Sequence, residues 1–110
     1  MFQVHALVPA PVPEFWCSNF DESLHFYTKV VGVSLAQRRG DDLHACLELG
    51  NTQIMISCWR QDRTWVPAPL EKPYGKGVNF QVITENLKTI YESALSVGIK
   101  PFFELHTNRY

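Results

Sequence analysis

One pattern occurs twice along the chain and limits the folds that it can adopt. An apolar segment precedes an amphipathic helical pattern, which is followed by a glycine and a second apolar segment. The helical patterns cover residues 21–31, ending at Gly32, and 85–97, ending at Gly98, because glycine readily takes the left-handed conformation that ends helices. Each unit has one helix and too few strands to bury a sheet. We therefore expect two sheets that face each other, or two chains that share them.

The first unit predicts the order β-α-β-β-β. Asn19 is expected to cap the helix, with Glu22 as its partner three residues later. Leu24, Tyr27 and Val31 lie on one face of the predicted helix. The predicted strands cover 14–18, 33–38, 43–49 and 52–58, with turns at Gly40-Asp41-Asp42 and Gly50-Asn51.

The second unit is shorter. A proline-rich loop over 59–75 ends in the Gly75-Lys76-Gly77 turn, and strands are predicted at 78–83 and 99–106. Thr84 is a candidate cap for the second helix. The side chains expected to point inward from that helix are Leu87, Ile90, Tyr91, Ala94 and Leu95.

The whole chain, residues 1–110, is predicted to be a single domain with two modules. Module one covers about 10–58, the loop 59–75, and module two about 76–110. Only one strand fits between the second helix and Tyr110, so the second module is interpreted as truncated.

Composition excludes several classes of function. Lys and Arg number 10 and Asp and Glu number 11, which gives a net charge of −1 and argues against a nucleic-acid binder. No apolar run approaches the roughly 18 residues of a membrane span, and Met1–Ala10 lacks the pattern of a signal peptide. Cys17, Cys46 and Cys58 are an odd number in apolar runs, which is typical of reduced thiols. We therefore expect a cytoplasmic protein.

The segment from Asn19 to Gly32 resembles the first helix of the vicinal oxygen chelate superfamily, which includes glyoxalase I, bleomycin-resistance proteins, fosfomycin-resistance enzymes and extradiol dioxygenases. The residues that carry the resemblance are Asn19, Ser23, Phe26, Tyr27 and Gly32. Residues 45–50 followed by 54–56, the Gly75-x-Gly77 turn and the second strand–helix unit agree with it. The resemblance implies an α+β fold in which paired β-α-β-β-β modules form a curled mixed sheet with a cleft.

Enzymes of this superfamily hold a divalent metal in that cleft. The positions that match their ligands are occupied here by Val12, Val78 and one residue of 54–56, which cannot bind a metal in that way. The four histidines are dispersed along the chain. The sequence therefore predicts no metal, no cofactor and no catalytic residue, and it argues against an enzyme. The alternative is a metal-dependent lyase or dioxygenase of the same superfamily with non-standard ligands.

The predicted function is metal-free binding of a small molecule. Strand alternation places Glu14 and Trp16 on one face, directed toward the cleft. The candidate ligand-binding residues are Glu14, Trp16, Met55, Trp59 and Trp65. Tryptophan and methionine supply apolar contact area, and a carboxylate selects a cation or a hydrogen-bond donor.

The resemblance is greatest to the bleomycin-resistance branch, which confers antibiotic resistance. It implies that a cationic aromatic drug or metabolite is sequestered between two subunits. The expected partners are a small molecule and a second copy of the chain, with exchange of the N-terminal arm that contains Pro9, Pro11 and Pro13. Neither a nucleic acid nor a membrane is expected. A third hypothesis is a structural or regulatory subunit that uses the fold only to dimerise.

Overall fold

The computed structural model describes residues 11–39, 43–59, 68–102 and 104–107. These residues form an α+β fold, and its first module has the predicted β-α-β-β-β order. The elements are β1 (Glu14–Cys17), α1 (Phe20–His25), a π-helical segment (Phe26–Val31), β2 (Ser34–Arg39), β3 (His44–Leu49), β4 (Thr52–Cys58) and α2 (Leu87–Ser96). Residues 1–10 of the predicted N-terminal arm, the turn at Gly40-Asp41-Asp42 and the candidate residue Trp65 lie outside the described residues.

The four strands form one open, mixed sheet in the order β1-β4-β3-β2. β1 is parallel to β4, whereas β3 is antiparallel to both β4 and β2. Glu14 pairs with Met55, and Cys17 pairs with Cys58. Because β1 and β4 are parallel, their carboxyl ends lie at the same edge of the sheet.

The first helix begins and ends as the sequence predicts. The Asn19 side chain accepts a hydrogen bond from the Glu22 backbone N–H at 3.1 Å. Gly32 has a φ of +88°, and its N–H bonds to the Tyr27 carbonyl oxygen. The second half of the helix is π-helical, which the sequence does not predict. At this transition the Thr28 hydroxyl donates to the Leu24 carbonyl oxygen at 2.7 Å, a side-chain bond of the kind that competes with helical backbone bonds.

The core lies between this helix and one side of the sheet. It is formed by Phe20, Val33, Ala45, Leu47 and Ile56. The predicted inner face of the helix is confirmed, since Leu24, Tyr27 and Val31 pack against this core. Residues that alternate with the core positions along β1, β3 and β4 lie on the opposite side of the sheet, here called the polar face. The polar face comprises Glu14, Trp16, His44, Cys46, Glu48, Gln53, Met55 and Ser57.

Two predicted strands do not form. Residues 78–83, and the described residues of 99–106, are neither strand nor helix. A strand needs a neighbour to accept and donate its backbone hydrogen bonds, and no described strand pairs with these residues. The alternating apolar residues of 78–83 therefore do not join the sheet. The Val78 and Phe80 side chains remain 60% and 55% exposed.

The second helix is shorter than predicted and is only partly covered. It begins after Asn86, and Thr84 instead accepts a hydrogen bond from the Asn86 N–H at 3.0 Å. α2 packs against the π-helical segment. Ile90, Tyr91 and Ala94 are half-buried, but the predicted inward positions of Leu87 and Leu95 are wrong because both side chains are exposed. No helix among the described residues has the length and apolar character needed to cross a membrane.

Candidate functional site

Two of the predicted site residues are direct neighbours on the polar face. Glu14 of β1 is the register partner of Met55 of β4, and Trp16 is the register partner of Ser57. Residues two apart on a strand lie on the same face about 6–7 Å apart. The sheet therefore places Glu14, Trp16 and Met55 in one patch.

Two tryptophans line one cavity at the carboxyl ends of β1 and β4. The Trp59 backbone N–H donates to the Cys17 carbonyl oxygen at 2.9 Å, which holds the residue after β4 against the end of β1. The cavity has a volume of about 140 Å³. Its lining residues are Trp16, Cys17, Ser18, Trp59, Leu70 and Tyr74. Drug-sized ligands occupy pockets of roughly 300–1,000 Å³, so this cavity has room for about one ring system.

The indole N–H of Trp59 is a donor that the described residues leave unused. Its Nε1 atom is buried and has no hydrogen-bond partner among them. A buried donor without a partner costs about 1–3 kcal/mol, because it has lost its water without gaining another acceptor.

His44 links Glu14 to a buried serine, which sequence reasoning missed. The His44 Nδ1 atom lies 2.6 Å from Ser57 Oγ and 4.0 Å from Glu14 Oε2. Strand alternation gives each of these residues its face, but the strand register that aligns them is not visible in the sequence.

This group does not form a nucleophilic relay. Such a relay needs the serine and the carboxylate on opposite ring nitrogens, whereas both lie at Nδ1 here. Ser57 is also only 3% exposed, so a substrate cannot reach its hydroxyl. Instead, His44 provides a hydrogen-bond partner for the buried Ser57 hydroxyl, and this contact holds the histidine ring next to Glu14.

The residues at the superfamily's metal-ligand positions do not fit a divalent metal. Val12 and Val78 are exposed aliphatic side chains. Of residues 54–56, the core holds Ile54 and Ile56, while Met55 lies on the polar face. The described part of the chain contains no group of three His, Cys, Asp or Glu side chains able to hold a metal ion.

Burial shifts the titration of three groups near the sheet. It raises the pKa of the Cys17 thiol, and the neighbouring Cys58 raises it further, against a hydrogen bond with Ser23 that lowers it. Burial raises the pKa of Tyr27, with a smaller contribution from Cys17. On the polar face, burial and then the charge of Glu48 raise the pKa of Cys46. Each of these shifts favours the neutral form of the group.

Comparison with known proteins finds similarity among solved structures. No family model matches the chain, and no curated protein is significantly similar to it in sequence. One similar structure is a glyoxalase/bleomycin resistance protein/dioxygenase superfamily member from Vibrio splendidus 12B01. It is 26% identical with a TM-score of 0.43, and the match covers 79% of this chain and 66% of that one.

A second similar structure is an integron cassette protein from the mobile metagenome of the Halifax Harbour sewage outfall. It is 14% identical with a TM-score of 0.47, and the match covers 80% of this chain and 71% of that one. The chain is thus similar to a structure from the superfamily that its first helix resembles.

Proposed function

We propose that this chain is a metal-free small-molecule binding protein of the glyoxalase/bleomycin resistance type, and that it sequesters a cationic aromatic compound. The observation that carries the proposal is the pairing of Trp16 with Trp59 around one cavity, on a sheet whose polar face presents Glu14. An apolar cavity with a few placed polar groups is the usual form of a ligand site.

The tryptophans favour a flat ring that carries positive charge. Trp16 and Trp59 supply two indole rings, and indole is the best aromatic partner for a cation. The Tyr74 and Leu70 side chains close the cavity from the loop that leads to the Gly75 turn.

Glu14 adds the charge that distinguishes a cation from a neutral ring. Its carboxylate is about a quarter exposed, and its Oε2 atom lies 4.0 Å from His44 Nδ1. A cationic group bound near Trp16 would lie within reach of this carboxylate.

We further propose that the complete site is formed by a homodimer. The cavity of one chain has room for only about one ring, so a larger ligand needs a second wall. β1 is an edge strand of the described sheet, and Phe80 packs on Phe15 of β1 with 4.5 Å between the ring centroids. The exposed apolar segment 78–83 therefore lies beside an open strand edge, where a second copy could cover both.

The test is calorimetric titration with a planar aromatic cation. Proflavine and metal-free bleomycin are the probes, and neutral acridine at mildly alkaline pH is the matched uncharged ring. A chelator is present throughout to exclude a metal-mediated route. Saturable binding of a cation with much weaker binding of acridine supports the proposal, whereas no binding heat with either cation contradicts it.

The oligomeric state is measured separately by light scattering at micromolar concentration. A dimer supports the shared site. A monodisperse monomer would contradict the dimer and leave the cavity of the single chain as the whole site.

A further inference from the structure

Cys17 and Cys58 are register partners on the parallel strands β1 and β4. Both thiols are free and half-buried, and both pack at the margin of the core. Directly paired residues of neighbouring strands lie on the same side of a sheet, with the strands about 4.8 Å apart. This separation falls within the Cα–Cα range of roughly 4.4–6.8 Å that disulfides span.

Each of the two sulfur atoms contacts a backbone oxygen of the other cysteine's segment. Cys17 Sγ lies 3.3 Å from the carbonyl oxygen of Ser57, which belongs to the opposite strand. Cys58 Sγ lies 3.9 Å from the carbonyl oxygen of Ser18, which follows β1. Each thiol therefore reaches across the gap between the two strands.

The position of β1 makes closure of this gap feasible. Within the described sheet β1 has β4 as its neighbour on one side and an open edge on the other. A strand held on one side can move by a fraction of an ångström without breaking a second ladder. Neither cysteine is fully buried.

We propose that Cys17 and Cys58 form a redox-active dithiol that a low-molecular-weight disulfide, such as oxidised glutathione, converts to an intramolecular disulfide. One cysteine thiolate attacks a sulfur of the oxidant and expels one glutathione thiolate, which leaves a mixed disulfide on the protein. The second cysteine thiolate attacks the protein sulfur of that mixed disulfide and expels the second glutathione. The protein loses two protons and two electrons, and the oxidant becomes two molecules of reduced glutathione.

The disulfide would join two walls of the cavity. Cys17 lines the cavity and follows Trp16, while Cys58 precedes Trp59. Oxidation would therefore link covalently the two strands that present the tryptophans. This inference depends on the register of the strands and not on the proposed ligand.

Cys46 is the matched control within the same sheet. It is also free and half-buried, but it lies on the polar face and pairs with Met55 rather than with a cysteine. Chemistry that depends only on a partly exposed thiol would modify Cys46 as well, whereas chemistry that depends on a paired thiol would not link it.

The experiment treats the full reduced chain with oxidised glutathione, alkylates the remaining thiols and maps the peptides by mass spectrometry. The expected main product has Cys17 linked to Cys58 within one chain, with Cys46 free of any link to another cysteine. Cys46→Ser should form this disulfide at an unchanged rate, and Cys17→Ser should leave Cys58 unlinked to any cysteine. In denaturant, the preference for the Cys17–Cys58 pair should disappear.

Four results with the folded chain would overturn the proposal. They are glutathione retained on Cys17 or Cys58 of the unmodified chain, a main product that links either residue to Cys46, a disulfide between two chains, and no reaction at either cysteine. Persistence of the same preference in denaturant would also overturn it, because the folded register would then not be its cause. None of these readouts uses a cavity ligand, so they are independent of the proposed function.

Discussion

Trp16 and Trp59 line the same cavity because the parallel pairing of β1 with β4 brings the ends of two distant strands together. Trp16 pairs with Ser57, and Trp59 donates its backbone N–H to the Cys17 carbonyl oxygen at 2.9 Å. The site thus depends on one strand pairing between segments that are far apart in the chain. Changes that keep this pairing should alter binding without unfolding the sheet.

Trp16→Ala should weaken binding of a planar cation by about 1–3 kcal/mol, because it removes one of the two indole faces that line the cavity. Trp16→Phe keeps an aromatic face and should recover part of the loss. Affinity is measured by calorimetry with proflavine, and the dimer proposed for this chain should be unaffected. An affinity of Trp16→Ala equal to that of the unmodified chain would remove Trp16 from the site.

Glu14→Gln should weaken binding of a cation by about 1–1.5 kcal/mol, which is the difference between a hydrogen bond to a charged group and a neutral one. Binding of neutral acridine should not change. Glu48→Gln is the matched control, because Glu48 is a polar-face carboxylate on β3 that pairs with Gln53 rather than lying beside Trp16. If both substitutions reduce the affinity equally, the effect is that of overall charge and Glu14 has no specific role.

Asn19→Ala should lower the free energy of unfolding by about 1 kcal/mol, because it removes the side-chain acceptor for the Glu22 N–H. Asn86→Ala is the control, since Asn86 occupies the same capping position before α2 but makes no side-chain cap hydrogen bond. Urea denaturation of both variants measures the difference. If both variants lose the same free energy of unfolding, the loss comes from replacing asparagine with alanine at a capping position, and the Asn19 hydrogen bond contributes nothing to stability.

Gly32→Ala should lower the free energy of unfolding by about 1–2 kcal/mol. The cost is conformational, because Gly32 has a φ of +88° and an added Cβ would meet no atom within 4 Å. Gly32→Asn should be less harmful, since asparagine tolerates the left-handed conformation better than alanine. If urea denaturation gives the alanine variant a free energy of unfolding equal to or higher than that of the asparagine variant, the left-handed conformation is not the cause of the loss.

The stability of the fold should decrease at alkaline pH. The pKa values of Cys17 and Cys46 are raised from 9.0 and that of Tyr27 from 10.0, chiefly by burial. The folded state thus holds these protons more tightly than the unfolded state does. Their contribution to stability is complete below the unfolded values, and it is lost as the pH rises through the higher folded values.

This loss is measured by urea denaturation across the alkaline range. Cys17→Ser and Tyr27→Phe should each flatten the curve, because each removes one group that titrates differently in the two states. A stability that rises with pH above 9.0, the ordinary thiol value, would contradict the direction of these shifts.

Local signals in the sequence determined the first module. Asn19 has the side chain that caps a helix, Gly32 lacks the Cβ that a left-handed helix end disfavours, and apolar alternation marks the strands. Each of these signals acts over a few residues, so it can be read without knowing what packs where. The same reasoning placed Glu14 and Trp16 on one face of a strand.

Tertiary structure decided everything that depends on strand pairing. The alternation over 78–83 is as regular as that of a strand, yet no strand forms, because a ladder requires a partner that the pattern does not specify. Conversely, the parallel register of β1 and β4 brings Trp16 near Trp59 and Cys17 beside Cys58. Together with the antiparallel register of β3 and β4, it also brings Glu14 near His44. The register between distant strands follows from the packing of the whole sheet, so it cannot be predicted from individual residues.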